Sequence, residues 1–358
     1  MDLHSQMKFL MANAKATSTT KTQNSYLKSW FRYCQLAKIP GCPVGGWHLA
    51  MYATSLVMGG KIKSADSVAN YLSAVHSYHT DMGFNCPTPS QFGPLKRVID
   101  GFRRLARRPI KRSLPITPRI LVNFLITQLP PPFCPIAYNN LITFKILALF
   151  YFLTMLRASS FLPTAYNNVD TLRLVCWGDV HHISYEGVQG ILISLEHTKT
   201  IQNGERVQQV PLAINNEVPQ LCPVRAIAAL RTIVGEQNIS DRTPLFQSRD
   251  YDGNLRPILR KKFDDWFRLR LKEMDLDPSK YTLHGFRAGG IQQVLMSEEN
   301  LALAKITSDH TSDVILNYSF VPADRRLTIS QKINRNLNGV INNAISYEPL
   351  PANVLLQA

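Results

Sequence analysis

None of the six cysteines lies within two residues of another; they fall singly at positions 34, 42, 86, 134, 176 and 222. That scatter offers no zinc knuckle and no Cys-x-x-Cys redox pair. It fits a reducing compartment, where Cys behaves as a small apolar side chain. Long hydrophobic runs are also missing. The most apolar stretch, Leu141 to Leu156, is interrupted by Lys145; it is short for a membrane span and better suited to a buried helix. The opening MDLHSQMKFL has too short an apolar run for a secretory signal. No internal repeat or low-complexity tract stands out. Acidic charge is scarce: 25 Asp and Glu face 40 Lys and Arg, for a net charge of +15. A field of that sign favours polyanions, either nucleic acid or an anionic membrane surface. A strongly amphipathic basic helix and a lipidation motif are both lacking, which makes the membrane the poorer partner.

What is present is a folded-protein composition, 45% apolar and 18% charged over 358 residues, long enough for two domains with real cores. The positive excess is uneven. Residues 1–110 hold 14 basic and 4 acidic residues, a difference of +10, and the rest of the chain holds 26 and 21, or +5. The first third is therefore the stronger candidate for gripping phosphates.

That first third reads as four helices on one core, a small bundle. Ser18, Thr19 and Thr20 can cap a helix with Tyr26, Trp30 and Cys34 on its inner face and Leu27 and Phe31 beside them. A second apolar run covers Trp47 to Met58 and stops at Gly59 and Gly60. Ser64 can cap a third helix burying Val68, Tyr71, Leu72, Val75 and Tyr78. The fourth carries Leu95, Val98, Ile99, Phe102 and Leu105, and runs into Arg103, Arg104, Arg107, Arg108, Lys111 and Arg112. Pro109, Pro115 and Pro118 break regular structure there. The expected organisation is a helical unit over 1–110, a basic, Pro-rich linker over 111–116, and a second unit over 117–358. The basic run is suited to tracking a DNA backbone or to serving as a nuclear import signal; it is equally what a solvated helix end looks like.

The second unit reads as mainly α with a small antiparallel sheet, an α+β pattern. Helices are expected over Ile120–Leu129, Asn139–Leu156, Pro223–Val234, Pro257–Met274, His284–Ser297 and Asn300–Thr307, with two more around Tyr318 and at Ala323–Ile345. Three strand-like runs, Leu172–Trp177, Gly190–His197 and Arg206–Ala213, come between; the turn at 202–205 joins the last two as a hairpin.

Four local signals carry chemistry. In Leu283-His284-Gly285-Phe286-Arg287-Ala288-Gly289-Gly290, His284 and Arg287 stand three apart at a helix start, on one face, where free N–H groups and the positive dipole end suit a phosphate. Arg157 ends a long apolar helix, where a guanidinium is costly to desolvate unless paired or functional. Lys199 stands at the hairpin mouth. His310 and Tyr318 are eight residues apart, a little over two helical turns. Each has a plainer reading: a helix-capping pair, an arginine on its own helix's carbonyls, a solvated lysine, a core tyrosine. His181 and His182 are neighbours in an extended run and face opposite ways, so no metal site is expected.

Taken in order, Arg157, Lys199, His284, Arg287, His310 and Tyr318 follow one another at intervals of 42, 85, 3, 23 and 8. In residue type, order and local motif this resembles the tyrosine recombinase and integrase family. The His-x-x-Arg and terminal His…Tyr elements are the specific parts, and the eight-residue gap and His284–Gly290 are closest in style to the Crypton and DIRS-like mobile-element recombinases. The resemblance implies a SAM-like core-binding bundle followed by a catalytic domain. It implies Tyr318 as nucleophile, forming a 3′-phosphotyrosyl link without metal or other cofactor, with the other five residues in catalytic roles. It also implies double-stranded DNA as partner, clamped between the two domains, and a homotetramer on two sites with the helix at 323–345 docked on a neighbour. Location would be nuclear in a eukaryote, or cytoplasmic and nucleoid-associated otherwise. One position departs: many members carry an acid three residues after the first arginine, and here that residue is Ser160. The competing readings are a topoisomerase-like strand relaxer and a non-catalytic, domesticated DNA-binding protein.

Overall fold

A computed structural model describes residues 2–14, 17–60, 62–106, 113–126, 134–198, 201, 207–297 and 305. The chain divides into two compact units, Met1–Lys111 and Arg112–Ala358.

In the first unit α1 spans Leu3–Asn13, α2 Thr17–Ala37, α3 Gly46–Met58, α4 Ala65–Asp81 and α5 Gly93–Leu105. Four of the five match the reading of the sequence. α1 was missed because its apolar residues Leu3, Phe9 and Leu10 face solvent, so no buried stripe marks it. Trp30 and Tyr52 are fully buried at the centre, edge to face at 5.0 Å. The Ser64 hydroxyl accepts from the Ser67 N–H and caps α4 as expected. Two expected core positions differ. Tyr71 and Tyr78 are only half-buried, with His79 fully buried in their place, its Nδ1 2.8 Å from the Val75 carbonyl oxygen. Leu105, in the last turn of α5, lies exposed beside Arg103 and Arg104.

In the second unit α6 is Pro118–Ile126 and α7 Pro135–Thr154. β1 (Val180–Tyr185), β2 (Val188–Leu195) and β3 (Gln208–Ala213) form an antiparallel meander in that order. α8 (Pro223–Val234) follows, then a two-stranded ribbon of β4 (Gln247–Arg249) and β5 (Leu255–Pro257), then α9 (Arg260–Glu273) and α10 (His284–Ser297). α7 is long and apolar enough to cross a membrane by length and composition, but it is the axis of this unit's core: Leu147, Ala148, Leu149, Phe150 and Tyr151 are all buried, and α6, α8 and α10 pack on it. Lys145 is tolerated there because its ammonium donates to the Leu125 carbonyl at 3.0 Å. Burial, with the like charge of Arg270, lowers its pKa.

The sheet corrects two expectations. Residues 172–177 are not a strand but a turn leading into a 3-10 helix at Trp177–Asp179; Cys176 there makes only a single bridge, to Pro244. The third strand is instead β1, which pairs Val180 with Ile193 and Tyr185 with Val188. α7 begins and ends earlier than expected and α9 starts later, because residues 255–257 belong to β5. Helices expected over 300–307 (Lys305 apart), around Tyr318 and at 323–345, and the turn at 202–205, lie outside the described residues.

Candidate active site

The site is built where α7 stops. Met155 takes the left-handed conformation, φ 53° and ψ 18°, a position usually filled by glycine because a side chain there crowds the carbonyl. The turn is held on both sides. The Thr154 hydroxyl donates to the Phe150 carbonyl at 2.7 Å and accepts from the Leu156 N–H at 3.3 Å. The Tyr151 hydroxyl donates to the Ala158 carbonyl at 3.1 Å; burial raises its pKa well above the usual phenol value, so it stays a donor. Arg157 thereby leaves the helix line and precedes a 3-10 turn over Ala158–Ser160, closed by the Ser160 N–H on the Arg157 carbonyl at 2.9 Å. Ser160 is buried there, and its carbonyl accepts from the Val175 N–H at 2.7 Å.

The second wall is the start of α10. Phe286, between His284 and Arg287, is fully buried among Phe267 (5.1 Å between centroids), Tyr151 (5.9 Å) and Phe124 (6.1 Å), and it anchors the helix start. Glycines bring the backbone close. A Cβ on Gly289 would stand 1.9 Å from the Ile116 carbonyl oxygen, one on Gly290 2.2 Å from that of Phe152, and one on Gly285 2.8 Å from that of Leu114. Leu114 and Ile116, which the sequence placed in a linker, are hydrogen-bonded into the second unit: the Leu114 N–H donates to the Lys280 carbonyl and the Ile116 N–H to that of Gly285, both at 2.8 Å.

These two walls bring Arg157, His284 and Arg287 together. Arg287 is buried, 3% exposed, and its guanidinium donates to the Met155 carbonyl, 132 positions away in the chain. Arg157 is half-buried, and among the described residues no hydrogen bond or ion pair holds its guanidinium. His284 is exposed, yet its pKa is lowered from 6.5, first by desolvation and then by the charges of Arg287 and Arg157. Burial and the two guanidinium charges thus favour the neutral imidazole, the form that accepts a proton. Two permanently charged guanidiniums, one of them anchored, beside an imidazole that favours its neutral form make a place suited to an anion. Reasoning from sequence missed Met155, which carries no signal for a left-handed turn.

Lys199, His310 and Tyr318 lie outside the described residues. Around the first, the Thr198 N–H donates to the Ile201 carbonyl at 2.9 Å, and both residues are buried. Of the basic set, Arg103 and Arg104 are exposed on α5; Arg103 pairs with Asp100 at 2.9 Å and approaches Asp66 at 3.9 Å. Arg107, Arg108, Lys111 and Arg112 are outside the described residues. His181 and His182 sit opposite Leu192 and Ile191 on β2, on alternate faces. Among the described residues no three His, Cys, Asp or Glu side chains gather where they could hold a metal ion.

No protein-family model matches the sequence, and no curated protein does. Solved structures do match. The integrase of transposon Tn1549, in complex with circular intermediate DNA, superposes with a TM-score of 0.52 and 14% identity over 90% of this chain and 97% of that one. The XerH site-specific recombinase, bound to palindromic difH substrate in a post-cleavage complex, does so with a TM-score of 0.51 and 16% identity over 80% and 72%. The chain has the fold of the tyrosine recombinases and integrases, with the α+β character expected from sequence.

Proposed function

We propose that this chain is a site-specific DNA recombinase or integrase that breaks and rejoins strands through a covalent tyrosine intermediate. The observation that supports it most is the convergence of Arg157, Arg287 and a His284 that favours its neutral form from distant parts of the sequence. Cleaving a phosphodiester places negative charge on the non-bridging oxygens, and paired N–H donors of two arginines stabilise that charge. A phenol with a pKa near 10 is a weak nucleophile at neutral pH, and His284 is the group suited to taking its proton. In this reading the Tyr318 oxygen attacks phosphorus, the bond to the 5′ oxygen breaks, and that oxygen takes a proton from Lys199. His310 donates to the phosphate. The 3′-phosphotyrosyl product keeps a phosphodiester's reactivity, so a 5′ hydroxyl of another strand reverses the step without an external energy source or a metal.

The partner is double-stranded DNA. The Tn1549 integrase is described in complex with circular intermediate DNA and XerH bound to palindromic difH substrate, and the basic first unit of this chain supplies the complementary charge. A homotetramer on two sites, a role in mobile-element integration or excision, the Crypton-like or DIRS-like affinity, and nuclear entry through residues 103–112 in a eukaryotic host belong to the same proposal.

The test is trapping on a nicked suicide substrate, drawn from a library or from the element's own ends, with EDTA present. The expected result is a DNA–protein adduct that survives a denaturing gel in the wild type and is absent in Tyr318→Phe. Tight binding to cognate ends without any adduct would instead make the chain a non-catalytic DNA-binding protein.

A further inference from the structure

We propose that Met155 is a positioning residue: its left-handed backbone aims its own carbonyl at Arg287 and so fixes where that guanidinium meets the phosphate. Three contacts join the end of α7 to one face of α10. The carbonyl takes the Arg287 N–H. The side chain lies over Gly290, where an added Cβ would come within 2.7 Å of the Met155 Cγ. Ile291, fully buried, packs against the same side chain. Arg287, Gly290 and Ile291 are spaced three and four apart, so all three look toward Met155 from one stripe of the helix.

The conformation is costly where it stands. A left-handed backbone costs a non-glycine residue roughly 1–2 kcal/mol, and such positions collect at functional sites where the surroundings over-determine them. Glycine would end α7 without that cost. It would also leave the carbonyl on a pivot. Methionine, clamped by Ile291 and lodged over Gly290, holds the plane of its peptide and hence the direction of the acceptor. A guanidinium held by a backbone acceptor keeps one orientation beside His284 and Arg157.

The cleavage arm of the test rests on the recombinase reading; the titration arm does not. Met155→Val places a β-branched side chain where the left-handed region is a genuine outlier and turns the carbonyl away. Met155→Gly keeps the turn but frees it. In single-turnover cleavage of the suicide substrate, Met155→Val is expected to fall roughly a hundredfold, as for a displaced reacting group. DNA affinity should stay within about twofold, because phosphate contacts elsewhere set it. Met155→Gly should fall far less. In parallel, the His284 imidazole is titrated by NMR in the folded protein. Arg287 and Arg157 are the charges that face it, so displacing Arg287 in Met155→Val should raise its midpoint, while Met155→Gly leaves it near the wild-type value. Equal losses in the two variants, or an unmoved His284 midpoint in folded Met155→Val, would overturn the assignment. A wild-type protein that cleaves no DNA while the midpoint still shifts would sink the recombinase reading and keep the positioning role.

Discussion

At the scale of single residues, the site depends on charges of one sign held close together. Because desolvation, Arg287 and Arg157 all lower the His284 pKa, its NMR midpoint is expected below 6.5, and Arg157→Gln should move it up by removing a like charge. The sign carries over to stability. As pH falls below about 6.5, the unfolded chain's imidazole takes up a proton before the folded one does. This group's contribution is therefore present above that pH and is lost as pH falls through the folded midpoint. Thermal melts of wild type and His284→Gln should accordingly converge toward low pH; parallel curves would show that His284 titrates normally. Phe286 is a second residue-scale lever. Truncation to alanine empties a fully buried ring site within an aromatic cluster, with an expected cost of about 3–5 kcal/mol, measured by denaturant unfolding.

At the scale of elements, helix α10 is fitted to its surroundings by what it lacks. Gly289→Ala would drive a methyl into the Ile116 carbonyl. The expected cost is about 1–3 kcal/mol, or a melting point lower by about 2–4 °C for each kcal/mol. A melting point equal to wild type would mean the two backbones separate freely. Most helices were legible in the sequence because they carry a buried stripe or a cap, as α4 does with Ser64. What could not be read has particular causes. α1 buries no stripe. The run at 172–177 has a strand's apolar composition, yet Cys176 and Trp177 are buried in a turn held by loop hydrogen bonds to residues 241–243. β1 is marked in the sequence only as an extended run through His181 and His182, because that pair interrupts its apolar pattern. Arg157, His284 and Arg287 were identified by type and spacing, but the backbone acceptor joining two of these walls has no signature in side-chain identity.

At the scale of the whole molecule, the recombinase reading makes the positive excess the main source of affinity for DNA. If α5 lies against a phosphate backbone, Arg104→Gln should weaken binding about equally for all sequences and reduce the log–log salt slope by about 0.9. Arg103 is held by Asp100 at 2.9 Å, an exposed pair worth roughly 0.2–1 kcal/mol, so Asp100→Asn should tighten binding by up to about fivefold. A slope unchanged in Arg104→Gln would move the DNA-binding face off this helix. The glycines of α10 have a further, historical consequence. Gly285, Gly289 and Gly290 are required by a backbone approach that any working or retired descendant of this fold must still make. On the recombinase reading, a relative that had lost the chemistry would shed His284 and Arg287 long before it shed those three. Among relatives of this chain the glycines would therefore trace the fold, and His284 and Arg287 would tell which lineages keep the chemistry that the recombinase reading assigns.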